Sequence, residues 1–188
     1  ETVNIKMSTT AESISLASVS MATDAKTVAL TVSGNTALTV SAMNADITSI
    51  DASAMTNGGA FIQTGRDSSE IANYIGSVGN DTFIMKNTAD VLDGGAGTTD
   101  VLDINFTGIL GGLSIDLTSA TDQVATIDGV TNSAVQKNFE NVDVSGYTNF
   151  GASITGSKAA NAITGTAKTD SISAGAGNDT ITVGVTAT

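Results

Sequence analysis

Four isoleucines at one fixed interval constrain this chain more than any other feature. Ile154, Ile163, Ile172 and Ile181 stand nine residues apart, and Asn161, Asp170 and Asp179 keep the same period. In register the stretch reads ITGSKAANA, ITGTAKTDS, ISAGAGNDT, ITVG. Each unit holds one turn and one short alternating run, so eighteen residues give two strands, one coil of a two-faced β-roll. Successive coils then lie about 4.8 Å apart, the spacing of paired strands. Residues eighteen apart stack, which puts Asn161 over Asp179 and Ile154 over Ile172. In SAGAGNDTITVG, Gly175 and Gly177 permit a tight curl that turns carbonyl oxygens inward. Asp179 adds a carboxylate to the same curl, and TITV continues as a half-buried strand.

A looser array lies upstream. GSVGNDTFI (76–84), MKNTADVLD (85–93) and GGAGTTDVLD (94–103) supply Asp81, Asp90 and Asp100, the last unit being one residue longer. Both arrays belong to a larger duplication. Asp51–Ile62 and Asp143–Ile154 share 7 of 12 residues at an offset of 92. The chain therefore divides near Thr107 into two tandem units, 1–106 with turns at 76–103 and 107–188 with turns at 154–184. Between the turns run alternating strand sections: Val3, Ile5 and Met7; Val28, Leu30 and Val32; Leu38 and Val40; Leu113, Ile115 and Leu117. Gly34-Asn35 is an acceptable hairpin turn, and SSEIANYI (68–75) and SAVQKNFENV (133–142) are compatible with short helices. A stacked solenoid accounts for more of the chain than a sandwich does.

Composition agrees with β structure throughout. Ser and Thr together number 49, Pro is absent and there is no Trp, so the apolar layers are thin and the strand ladders uninterrupted. Fifteen of the 19 acidic residues are Asp, a turn residue, and the net charge is −12. Seven scattered basic residues give no electrostatic footprint for nucleic acid. With neither Cys nor His, disulfides, the usual zinc sites and histidine acid–base catalysis are excluded. No nucleophile–base pair can be assembled, so the chain is expected not to be an enzyme. Only hard oxygen ligands remain, and these suit calcium. No signal peptide or membrane-spanning apolar run is visible, and the chain opens and closes mid-pattern, as a segment of something longer does.

The Gly-Asp turns resemble the calcium-binding nonapeptide of RTX proteins, G-G-x-G-x-D-x-U-x with U a large apolar residue. Gly76, Gly79, Asp81 and Phe83 match it, as do Gly94, Gly95 and Gly97. Gly175, Gly177, Asp179 and Ile181 match with Ala174 in place of the first glycine. Singly, a Gly-Asn-Asp turn is an ordinary turn of any β protein; the nine-residue repetition is what points to metal. The resemblance covers roughly a third of the chain and implies an all-β, right-handed parallel β-solenoid with calcium at Asp81, Asp100 and Asp179. Asp90 and Asp170 are candidates in glycine-poor turns, where Lys86 and Lys168 stand at the cation's place. Asp51 and Asp143 read instead as corner residues that accept backbone N–H bonds, Asp93 and Asp103 as solvated or ladder charges, and Tyr74 and Tyr147 as packing at the roll surface. The sections ITSIDASAMTNGGAFI and FENVDVSGYTNFGASI look like those of RTX-bearing bacterial surface-layer proteins. That likeness implies type I secretion, folding outside the cell on calcium, self-association into a surface lattice, and contact with cell-surface polysaccharide through other parts of a parent protein. The alternative implied is a calcium-folded RTX module of an adhesin or of a secreted protease or lipase.

Overall fold

The structure, a computed structural model, describes residues 2–7, 13–16, 28–40, 47–56, 61–63, 71–106 and 111–184. All regular structure in them is β. The first half supplies β1 (Thr2–Met7), β2 (Ser13–Leu16), β3 (Val28–Gly34), β4 (Ala37–Val40), β5 (Ile47–Met55) and β6 (Phe61–Gln63). The upstream turns connect β7 (Asn73–Ile75), β8 (Thr82–Met85), β9 (Val91–Asp93) and β10 (Val101–Ile104). There follow β11 (Leu113–Asp116), β12 (Val124–Ile127), β13 (Val130–Thr131), β14 (Gln136–Lys137) and β15 (Asn141–Asp143). The C-terminal coils carry β16 (Ala152–Thr155), β17 (Ala162–Thr164), β18 (Ser171–Ser173) and β19 (Thr180–Thr182).

Successive strands alternate between two walls. One wall is a single eight-stranded sheet in the order β2-β4-β6-β8-β10-β15-β17-β19. The other begins as the six-stranded sheet β1-β3-β5-β7-β9-β14 and continues in a five-stranded sheet that holds β16 and β18. Pairing along both walls is parallel, which is the stacking of a β-solenoid. Ile154 pairs with Ile172 and Ile163 with Ile181, as the nine-residue period requires. Upstream, Asn73 faces Val91 at an offset of eighteen, whereas Thr82 faces Val101 at nineteen. The extra residue of the longer unit is therefore absorbed in the turn 94–100 and not in a strand. The eight-stranded wall passes from β10 to β15 without interruption, with Leu102 opposite Val142.

Period-2 alternation builds one core between the walls. In β8 Phe83 and Met85 point inward and are fully buried, and in β11 Leu113 and Ile115 do the same. Both tyrosines belong to this core and not to the surface, each 1 % exposed. Tyr74 occupies the inward position of β7, its ring 5.9 Å from that of Phe83, which in turn meets Phe139 edge-on at 6.3 Å. Neither proposed helix is present in the described residues. Asn73–Ile75 is held in parallel pairing between β5 and β9, and Gln136–Lys137 and Asn141–Asp143 pair on opposite walls. Tertiary pairing on both sides outweighs the weak helical preference of these few residues. Gly34-Asn35 is likewise a corner and no hairpin, because β3 and β4 belong to different sheets.

One antiparallel excursion interrupts the coils. β11, β12 and β13 form two hairpin pairings beside β16. Asp128 and Gly129 connect β12 and β13, both at positive φ (59° and 71°), the geometry of a type I′ turn. Two buried glutamines stitch this excursion to the solenoid. The Gln123 side-chain amide donates to Phe139 O at 2.9 Å and Leu117 O at 3.3 Å, and its oxygen accepts from Phe139 N at 2.9 Å. Gln136 donates to Asp90 O and accepts from Asn132 Nδ2 at 2.6 Å.

Candidate metal centre

Alternation between walls sorts the turns onto two edges of the roll. Turns 76–81, 94–100, 138–140, 156–161 and 174–179 all lead into the eight-stranded wall and stack on the first edge. Turns 86–90 and 165–170 leave that wall and lie on the second. The first edge thus gathers Gly76, Gly79, Asp81, Gly94, Gly95, Gly97, Asp100, Gly175, Gly177 and Asp179, while Asp90 and Asp170 sit apart from them on the second.

At Asp100, Asp179, Asp90 and Asp170 the carboxylate that closes the turn reaches back one coil. Asp100 Oδ1 accepts the N–H of Asp81 at 2.7 Å, and Asp179 Oδ1 that of Asn161 at 3.0 Å. Across the second edge Asp90 Oδ1 accepts from Ala72 N and Asp170 Oδ1 from Ala152 N, both at 2.8 Å. These bonds are charge-assisted and tie coil to coil.

What differs is how the remaining carboxylate capacity is used. Where Ser or Thr lies four residues before the turn-closing residue, its hydroxyl clasps that group. Ser77 Oγ lies 2.9 Å from Asp81 Oδ2, Thr166 Oγ1 2.7 Å from Asp170 Oδ1, and Ser157 Oγ 3.2 Å from Asn161 Oδ1. Each of the three hydroxyls also accepts the N–H two residues on. Asp90 is met by the amides of Lys86 and Asn87 at 3.1 and 3.0 Å. In turns 94–100 and 174–179 the position four residues before the carboxylate is Ala96 or Gly175, and no hydroxyl stands there. Asp100 is fully buried and its Oδ2 has no partner. Burial pushes its carboxyl up to about 7 and the neighbouring charges of Asp81 and Glu140 push the same way, against the main-chain amides of Asp81 and Gly97.

Glycine is required in the stack because carbonyl oxygens lie where side chains would be. A Cβ on Gly76 would meet Gly94 O, on Gly97 both Gly79 O and Asp100 Oδ1, and on Gly175 Ser157 O. Gly175 and Gly177 have φ of 93° and 115°, which other residues adopt at a cost. The edge is therefore lined with carbonyl and carboxylate oxygen. Among the described residues no three acidic side chains converge on one point, so a cation here would draw on paired carboxylates plus backbone carbonyls. That donor set, with an orphaned buried oxygen in it, fits calcium, a hard ion that accepts six to eight oxygens in flexible geometry.

The corner aspartates behave as expected. Asp51 Oδ1 accepts from Ser53 N at 3.0 Å and Asp143 Oδ1 from Ser145 N at 2.8 Å, the same local turn in both copies of the duplicated segment. Asp93 forms an ion pair with Lys137 at 3.1 Å. Asp103 pairs across the ladder with Asp143, and burial reinforced by that charge raises it to about 6, with Lys86 opposing. The reading by period alone missed the hydroxyl clasp, although a Ser or Thr four residues before Asp81, Asn161 and Asp170 was its visible signal. It also missed Glu140, whose Oε2 accepts Asp100 N at 2.9 Å.

Comparison with known proteins agrees with this geometry. No curated protein and no solved structure matches the chain. Residues 155–185 match the RTX calcium-binding nonapeptide repeat in four copies. RTX nonapeptide repeats bind calcium, and proteins that carry them are generally secreted and extracellular. The segment 155–185 therefore carries RTX calcium-binding nonapeptide repeats, and its described residues, 155–184, form coils of a parallel β-solenoid.

Proposed function

We propose that this chain is a structural segment of a secreted bacterial surface-layer protein, folded by calcium and associating with further copies at the cell surface. The observation that carries the reading is the unbroken eight-stranded wall. Strand sections rich in Thr, Ser and Val and calcium turns share it, so metal is built into a continuous wall and is not confined to an appended tail. The tandem units 1–106 and 107–188 then serve as duplicated building segments. Ions belong at the first-edge turns Gly76–Asp81, Gly94–Asp100 and Gly175–Asp179, and more weakly at the glycine-poor second-edge turns of Asp90 and Asp170, whose carboxylates are already met by main-chain amides. The segment works by shape and association and catalyses nothing; export by a type I system is what its resemblance to RTX surface-layer proteins implies.

Analytical ultracentrifugation of the 188-residue chain tests the assembly role. At net charge −12 two copies repel, and calcium both lowers that charge and orders the turns. Association is expected to rise more steeply with calcium than with sodium chloride of equal ionic strength. A monomer at millimolar calcium and high protein concentration would move the assignment to the RTX module of an adhesin or of a secreted protease or lipase.

A further inference from the structure

The contacts that join turn 76–81 to turn 94–100 recur one coil later with a turn that has no glycine in it. Gly76 N donates to Asp93 O at 2.8 Å, and Gly94 N donates to Lys137 O at 2.9 Å. A Cβ on Gly76 would meet Gly94 O, and a Cβ on Gly94 would meet Asn138 O. Asp81 N donates to Asp100 Oδ1 at 2.7 Å, and Asp100 N donates to Glu140 Oε2 at 2.9 Å. Glu140 immediately precedes its strand, as Asp81 and Asp100 precede theirs. The turn is shorter, closed by Asn138 at φ 60°, and the extra methylene of Glu extends the carboxylate from this tighter curve.

From this recurrence we infer that Asn138–Phe139–Glu140 forms the far half of a calcium site centred on Asp100, with Glu140 as its second carboxylate. The unpartnered Oδ2 of Asp100, buried between two acidic neighbours, is the independent mark of a missing cation. The amides of Asp81 and Gly97 offset the buried charge only in part, and a divalent ion supplies Oδ2 with the partner it lacks. The assignment extends the calcium row beyond the nonapeptide turns, to a residue type and a turn length that the nonapeptide pattern does not contain, and it rests on the calcium reading of the first edge.

Isothermal titration of calcium into the metal-depleted full chain, compared with Glu140→Gln and Asp179→Asn, separates the two claims. Gln keeps an acceptor for Asp100 N–H, so the coil contact survives while the charge is lost. Glu140→Gln is expected to remove one bound ion, or to weaken one class of site at least tenfold, and to leave the class that Asp179→Asn removes. Titration of Glu140→Gln identical to the unaltered chain, with Asp179→Asn impaired, would overturn the Glu140 site alone. No calcium binding by any of the three would overturn the underlying reading too. Calcium anomalous density in crystals of the unaltered chain gives the same answer without a variant. A peak between the Asp100 and Glu140 carboxylates supports the site, and peaks only at Gly175–Asp179 contradict it.

Discussion

At the scale of single residues, the chemistry of a turn is decided four positions before its carboxylate. Ser or Thr there clasps the group that closes the turn, as at Ser77, Ser157 and Thr166, and a residue without a hydroxyl, Ala96 or Gly175, leaves the carboxylate unclasped. Two predictions belong here. Gly175→Ala must take up a φ of 93° and push its Cβ into Ser157 O, so it should cost at least about 1–2 kcal/mol in thermal or denaturant unfolding. Gly112→Ala meets nothing within 4 Å and should stay within about 0.5 kcal/mol of the unaltered chain. Asp179→Asn should weaken calcium affinity by an order of magnitude or more in a calcium titration. Asp116→Asn, which only trims a cap on Thr118 outside the stacked turns, should leave it nearly unchanged. The pairing of Asn161 with Asp179 was legible because they stand eighteen residues apart, one coil, whereas Asp81 and Asp100, nineteen apart, pair because the turn 94–100 absorbs the extra residue. Which carboxylates keep a free oxygen was not, since that depends on hydroxyl rotamers and on Glu140, forty residues away from Asp100 in sequence.

At the scale of elements, alternating apolar residues identified the longer strands, and the nine-residue period identified the partners in the C-terminal coils, Ile154 with Ile172 and Ile163 with Ile181. Two things escaped that reading. Short segments such as Asn73–Ile75 and Gln136–Lys137 carry too few residues to show a period, and they are strands only because neighbouring coils pair with them. The Asp128-Gly129 dipeptide between alternating apolar runs was a legible hairpin signal, overshadowed by the repeats around it. The excursion it closes depends on buried amides. Gln123→Met removes donor and acceptor together, orphans Phe139 N–H, and should destabilise by about 2–4 kcal/mol in chemical unfolding. Asp103 gives a pH test of the eight-stranded wall. Its folded-state value of about 6 exceeds the ordinary 3.8, so the fold disfavours its ionised form. The cost is in force above about pH 6 and is relieved as pH falls from 6 toward 4. In chelator, Asp103→Asn should therefore raise the melting temperature by about 2–4 °C at pH 7.5 and have little effect at pH 4.

At the scale of the whole molecule, a parallel solenoid with an acidic first edge carries its own electrostatic burden. Asp81, Asp100 and Glu140 follow one another along the stack, and the chain as a whole bears −12. On the proposed reading, calcium offsets that repulsion where it is concentrated and gives the bare oxygen of Asp100 a partner. Magnesium demands tighter octahedral geometry and should substitute poorly. The most direct measurement is a thermal melt of the 188-residue chain by circular dichroism, in millimolar calcium and in excess chelator. Loss of β signal and a sharp fall in melting temperature on chelation, restored by calcium and not by equimolar magnesium, is the predicted result. Superimposable spectra and melts in calcium and in chelator would contradict it.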